Sequence, residues 1–303
     1  MITPPPLLKG DKVGIVAPAR FVGQENYAAI CSTIESYGYR PVRGRTTSLE
    51  HGIFAGTDSE RAADLQQMID DAEIRAIFCV RGGYGCVRMV GKVDLSGLLR
   101  SPKWLVGFSD ITVLHAALTQ LGVESIHGQM PVNFCKPQAS VDELFSVLEG
   151  RSPNYTFAGD GNQYGKAQGE VCGGNLSIVC SLIGTPWQIE TNGKILFIED
   201  VGEPLYRIDR MMRQLREAGM LSNLAGLVCG YFTDAEDSTP SFGLTANQIV
   251  MDAVADYGYP AAFGFEAGHQ QPNKPLIFGR MAQLTVNKEF SNLSFDKNTK
   301  ERT

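Results

Sequence analysis

Through the first half of the chain, short apolar runs alternate with stretches whose apolar residues recur at helical spacing. Val13-Gly14-Ile15-Val16-Ala17-Pro18 reads as a buried strand closed by proline. Tyr27, Ile30, Ile34 and Tyr37 then share one helix face, and Gly38 follows as a stop. Pro41-Val42-Arg43 is a second strand, and Thr57-Asp58-Ser59-Glu60 has the form of a capping box opening a helix with Ala62, Leu65 and Ile69. Ala76-Ile77-Phe78-Cys79-Val80 is a third strand, leading into Arg81-Gly82-Gly83-Tyr84-Gly85. Trp104-Leu105-Val106 is a fourth, cut off by Gly107, and Asp110 to Leu121 reads as an amphipathic helix stopped by Gly122. Strands alternating with helices predict a doubly wound α/β domain over residues 1–150, with function at the C-terminal ends of its strands.

The periodicity fades after Leu144, Val147 and Leu148, and residues 151–170 are rich in turn formers. A domain junction is expected there. The second domain, 171–303, has a helix near Asn175–Ile183 and a strand Ile195–Ile198. Further helices span about Tyr206–Ala218 and Thr245–Tyr257, on either side of a strand at Gly226–Tyr231. Leu284-Thr285-Val286 and Leu293-Ser294-Phe295 look like β structure, with a fraying polar tail after Asp296.

Composition narrows the function classes. At 43% hydrophobic and 20% charged, the 303-residue chain is ordinary for a globular protein. A net charge of −6 without any basic run argues against nucleic acid as a partner. No apolar stretch reaches the length of a membrane span, and Met1-Ile2-Thr3-Pro4-Pro5-Pro6 lacks the form of a signal peptide, so a cytoplasmic address is expected. The seven cysteines (31, 79, 86, 135, 172, 180, 229) are scattered through apolar runs with no Cys-x-x-Cys pair, and read as small core residues. No His/Cys/Asp/Glu grouping has metal-ligand spacing, and neither a metal nor a cofactor is expected.

Candidate chemistry starts at Ser109. A serine at a sharp strand-to-helix turn holds its hydroxyl out of the sheet beside helix N-terminal N–H groups, a setting that suits a nucleophile. The motif is Gly-x-Ser-Asp, not Gly-x-Ser-x-Gly, and Ser109 or Asp110 could equally serve as a helix cap. Gly82 and Gly83 follow a strand and could open their N–H groups to a phosphate, form an oxyanion hole, or make a plain turn. Of the four histidines, His115 reads as packing inside a helix, while His51 and His127 sit in a loop and a short strand. His269, in the glycine-flanked loop Gly264–Asn273, has the setting that suits a base. Glu199 and Asp200 end the strand Ile195–Ile198, where a carboxylate could orient a histidine or simply meet solvent.

Taken together, the segments resemble one family. Arg81-Gly82-Gly83-Tyr84-Gly85, Gly107-Phe108-Ser109-Asp110 and Cys172-Gly173-Gly174-Asn175-Leu176 fall in the order found in the LD-carboxypeptidases. So do Ser181-Leu182-Ile183-Gly184-Thr185-Pro186-Trp187, Ile198-Glu199-Asp200, Tyr206-Arg207-Ile208-Asp209-Arg210-Met211 and Gly268-His269. The resemblance implies a flavodoxin-like N-terminal domain and a C-terminal domain containing a small β-barrel. It also implies a serine peptidase with Ser109 as nucleophile, Glu199 and His269 completing the triad, and the N–H groups of Asp110 and of Gly82 or Gly83 at the oxyanion. The implied substrate is a murein tetrapeptide losing its terminal D-alanine during cell-wall recycling, and the implied assembly a homodimer. The family also holds microcin-immunity peptidases acting on a peptidyl-nucleotide, usually in longer chains. A binding module without chemistry and an ordinary esterase are the competing readings from other classes. One departure bears on any substrate contact after the first strand: the family often has Pro-Ser where this chain has Pro18-Ala19-Arg20.

Overall fold

Apolar runs with no polar face can only be satisfied by cover on both sides, and the computed structural model gives them that cover. It describes residues 1–23, 27–134 and 138–297; Cys135 and the tail beyond Lys297 lie outside them. The chain divides into two units, one gathering Met1–Arg151 with Lys274–Ile277, the other Ser152–Asn273 with Phe278–Asp296.

The first unit runs β1 (Lys12–Val16), α1 (Tyr27–Ser36), β2 (Arg40–Arg43), α2 (Asp58–Asp70), β3 (Ile74–Cys79), α3 (Cys86–Met89) and α4 (Gly97–Arg100). It continues through β4 (Trp104–Gly107), α5 (Thr112–Leu121), β5 (Ser125–His127) and α6 (Gln138–Leu148). The second holds β6 (Asn154–Phe157), β7 (Gly165–Asn175), α7 (Leu176–Ser181), β8 (Ile195–Val201), α8 (Leu205–Glu217), β9 (Gly226–Thr233), α9 (Ala246–Val254) and β10 (Ala261–Ala262). Three strands follow: β11 (Leu276–Phe278), β12 (Met281–Val286) and β13 (Ser291–Phe295).

In the first unit six strands lie in the order β11-β5-β4-β3-β1-β2, and β2, β1, β3, β4 and β5 pair in parallel. Every residue of β4 is buried, as the uninterrupted run Trp104–Gly107 requires of a strand covered on both faces. From β1 the chain steps outward to β2 and then returns past β1 to β3. The loops after β1 and β3 therefore diverge, and a crevice opens at the carboxyl ends of those two strands. The Thr57 capping box forms as expected, with Thr57 Oγ1 accepting from the Glu60 N–H and the Glu60 carboxylate accepting from the Thr57 N–H. Gly122 ends α5 at φ +83°, a conformation that costs glycine nothing.

In the second unit seven strands lie in the order β10-β9-β8-β7-β12-β13-β6. The sheet is mixed, with parallel and antiparallel pairs, and Gln163, just ahead of β7, bridges back to Ala261 of β10 through N–H···O bonds of 2.9 and 3.0 Å. β7 makes the mixture: its first half pairs antiparallel with β12 and its second half parallel with β8. Its glycines permit this, since a Cβ on Gly173 would stand 1.9 Å from the Phe197 carbonyl oxygen. The turn-rich stretch 151–170 is more than a connection, because it carries β6 and the start of β7. Both units combine helices with sheet, and the protein is of the α/β class. Cys79, Cys86, Cys172, Cys180 and Cys229 are buried and free, as core residues.

Candidate active site

Ser109 follows β4 at the centre of the first sheet. Its φ of +64° makes it one of two non-glycine residues in the left-handed region among those described. A serine adopts this conformation only where its surroundings impose it, and such strain concentrates at functional positions. Here the imposition is visible. Extended Phe108 delivers the chain to a 3-10 turn over Ser109–Ile111, which runs on into α5. Gly107 must be bare, because its Cβ would meet Ile111 Cγ1 at 2.8 Å. The Gly107 carbonyl accepts from His115 Nε2 at 2.8 Å and from the Gly128 N–H at 3.2 Å.

His115 therefore does more than pack. Its Nε2–H is fixed by that carbonyl, so Nδ1 accepts from Ser125 Oγ at 2.8 Å. Burial holds its pKa down to about 4, and the ring stays neutral.

Gly82 faces the serine directly. A Cβ placed on it would lie 2.9 Å from Ser109 Cβ, 3.1 Å from Ser109 Oγ and 3.3 Å from the Asp110 backbone nitrogen. Ser109 Oγ and the Asp110 backbone nitrogen thus both lie close to the same bare glycine. Gly83, at φ +109°, faces elsewhere: its Cβ would meet Arg20 Cβ at 3.0 Å. The buried Asp110 carboxylate accepts from the Cys86 N–H at 2.8 Å and so ties α3 to the serine turn, while burial raises its pKa.

Arg61, unremarked in the sequence, anchors the glycine-rich loop. It is 1% exposed, and its Nη1 donates to the carbonyls of Pro18 at 2.5 Å and Gly85 at 2.8 Å, with Asp58 as its ion pair. An arginine four residues before Leu65, on the apolar stripe of a helix, was the available signal.

In the second unit Glu199, at the end of β8 and fully buried, meets His269 with Oε2 2.8 Å from Nδ1. A carboxylate only accepts, so Nδ1 carries the hydrogen and the lone pair of the neutral ring lies on Nε2. Burial works against charging His269, but the hydrogen bond and charge of Glu199, with the charge of Asp200, outweigh it and raise the imidazole pKa above its ordinary value. Gly268 allows the approach: at φ +127°, its Cβ would stand 2.7 Å from Glu199 Oε2. The Gly268 N–H is held at 3.0 Å by Asn273 Oδ1, a fully buried side chain that had no assigned role in the sequence.

The two neighbouring acids separate cleanly. Asp200 accepts from Asn175 Nδ2 at 2.8 Å and from the Ser177 N–H at 2.9 Å, so it secures the start of α7. Among the described residues, no group of three or more His, Cys, Asp or Glu side chains could hold a metal ion. No helix among them is long and apolar enough to cross a membrane.

Residues 13–128 match the model of the LD-carboxypeptidase N-terminal domain, and residues 168–284 match that of the C-terminal domain. The chain is 36% identical over 296 residues to a probable murein peptide carboxypeptidase of Bacillus subtilis (strain 168), covering 93% of this chain and 91% of that one. It is 30% identical over 293 residues to the murein tetrapeptide carboxypeptidase of Pseudomonas aeruginosa, covering 91% and 94%. The crystal structure of muramoyltetrapeptide carboxypeptidase from Oxalobacter formigenes superposes with a TM-score of 0.88 at 27% identity, over 95% of this chain and all of that one. With both halves matched and such identity along nine-tenths of its length, the chain belongs to the LD-carboxypeptidase family.

Proposed function

We propose that the protein is a serine-type LD-carboxypeptidase that releases the terminal D-alanine of murein tetrapeptides, with Ser109, His269 and Glu199 as its triad. The observation that carries this reading is the strained Ser109 backbone, which sets Ser109 Oγ and the Asp110 nitrogen beside bare Gly82. The β2-β1-β3-β4-β5 order supports a flavodoxin-like scaffold for the nucleophile.

Ser109 Oγ attacks the carbonyl carbon of the L,D-peptide bond as His269 Nε2 takes its proton. Glu199 keeps the ring in the required tautomer and stabilises the imidazolium. The N–H groups of Asp110 and Gly82 receive the oxyanion, and losing one such donor costs about 3 kcal/mol of transition-state stabilisation. Collapse breaks the C–N bond, and the departing amine of D-alanine takes the proton from Nε2. Water, deprotonated by the same nitrogen, then attacks the acyl-serine ester; the C–Oγ bond breaks, Nε2 returns the proton to Ser109 Oγ, and the shortened peptide leaves with a new terminal carboxyl group.

The resemblance also carries a cytoplasmic site of action and a homodimer, which sedimentation of the purified protein tests. For the peptidase reading, Ser109→Ala is the direct experiment. D-alanine released from a defined murein tetrapeptide, followed by mass spectrometry, falls by about 10³-fold or more in a protein that still folds. Wild-type turnover by folded S109A sinks the assignment.

A further inference from the structure

A peptidase that removes only the last residue must distinguish a chain end from an internal peptide bond. The chemical mark of that end is a carboxylate one residue beyond the scissile carbonyl. Two arginines stand at the crevice of the first sheet. Arg20 lies in the loop after β1 and Arg81 directly after β3, while Ser109 follows β4; β1, β3 and β4 are consecutive neighbours in the sheet.

The backbone around Arg20 is built rather than loose. The Pro18 carbonyl accepts from Arg61, the Ala19 carbonyl from the Ala55 N–H at 3.1 Å, and the Phe21 N–H donates to Ile53 at 3.2 Å. The Arg20 stem lies along Gly83, with Cβ and Cδ 3.0 and 3.2 Å from where a side chain on that glycine would begin. Gly82, whose corresponding position is 3.1 Å from Ser109 Oγ, is the next residue back. Two successive glycines of one loop thus stand against Ser109 and against Arg20 in turn.

Arg81 Nη1 reaches the Phe21 carbonyl at 3.5 Å. A guanidinium has five N–H donors, and among the described residues neither Arg20 nor Arg81 has a carboxylate partner. Half-burial and the nearby charge of Arg20 both depress the Arg81 pKa, so the two cations repel each other. Two arginines held together in this way form a receptor for an anion.

Resting on the peptidase reading above, we propose that Arg20 and Arg81 bind the C-terminal carboxylate of the substrate and so restrict cleavage to the last residue. The ligand class is a peptide ending in a free carboxylate. Amidation removes that charge with little change in shape, so a tetrapeptide ending in D-alaninamide is the discriminating probe.

The experiment compares kcat/KM on the acid and on the amide. The wild-type protein favours the acid by about tenfold to a hundredfold, the range of hydrogen bonds to charged groups. That ratio falls towards one in Arg20→Ala and in Arg81→Ala, with Arg20→Lys between. Arg20 is exposed, so its variants test the site even if Arg81→Ala fails to fold. A wild-type ratio near one, or a ratio unchanged in folded R20A, overturns the proposal and leaves the peptidase reading standing. Calorimetric titration of the S109A protein with both peptides separates the converse case. An Arg20-dependent preference for the acid without any turnover by wild type keeps the carboxylate site and rejects the peptidase reading. Neither turnover nor binding rejects both.

Discussion

Two glycines set the contact geometry of the candidate catalytic groups. Gly82→Ala would introduce a methyl group 3.1 Å from Ser109 Oγ, in the space that the proposed mechanism assigns to the carbonyl oxygen of a substrate. Its backbone lies outside the left-handed region, but the added methyl also stands 2.9 Å from Ser109 Cβ, so the serine turn must shift to admit it. Loss of kcat by about a hundredfold or more is expected, with a melting temperature lowered by the displaced turn. Gly268 is different in kind, since both its φ of +127° and the 2.7 Å approach to Glu199 forbid a side chain. At the same scale, the acid limb of the pH–rate profile belongs to His269. A base must be neutral, and the raised pKa of His269 places half-maximal activity above the ordinary imidazole value of about 6.5. In Glu199→Gln the carboxylate charge is gone and burial dominates. The limb should therefore move to lower pH while kcat falls, as a profile from pH 5 to 9 would record. Stability runs the other way. The charged pair contributes fully below about pH 6.5, and that contribution is lost as pH rises through the raised folded value.

Among the elements, α2 joins the scaffold to the site. At its start Thr57 closes a capping box, and Thr57→Ala should cost about 1 kcal/mol in denaturant unfolding with activity retained. One turn on, Arg61→Met should cost roughly 3 kcal/mol and lower activity as well. It strips the donor from the Pro18 and Gly85 carbonyls and leaves Asp58 with Arg88 as its remaining partner. Much of this level could be read in advance. The strands Val13–Val16, Ala76–Cys79, Trp104–Val106 and Ile195–Ile198 are apolar runs, and the capping box and Gly122 mark ends by local chemistry. β7 could not be read that way. Its sequence, Gly-Lys-Ala-Gln-Gly-Glu-Val-Cys-Gly-Gly-Asn, has little strand propensity, and its glycines answer to partners distant in sequence, such as Phe197. For the same reason the sequence could not tell Glu199 from Asp200. Both end the same strand, and only the tertiary fold sends one to His269 and the other to α7. Gly82 and Gly83 are indistinguishable in sequence on the same ground, because facing Ser109 or Arg20 is a matter of loop geometry.

At the scale of the whole molecule, the candidate chemistry is divided between two units. Ser109 and Gly82 belong to the first, Glu199 and His269 to the second. The first unit is also discontinuous in sequence, since Lys274–Ile277 count with it and β11 lies beside β5 at the edge of its sheet. A fragment ending at Arg151 would carry the serine but leave β5 as an unpaired edge. Such a fragment should aggregate or lose several degrees of thermal stability relative to the same fragment supplied with a β11 peptide. Light scattering and thermal melts with and without that peptide would measure the difference.

The returning strand also bears on how the protein comes to exist. A ribosome adding about 5–20 residues per second releases the segment through α6 well before β11 has been made. Residues 152–273 intervene between them. For on the order of ten seconds the nascent sheet holding Ser109 therefore has a bare border, open to any extended chain nearby. Its mate β11 is encoded after the codon for His269, so the sheet that carries the serine is finished only after the histidine has been translated.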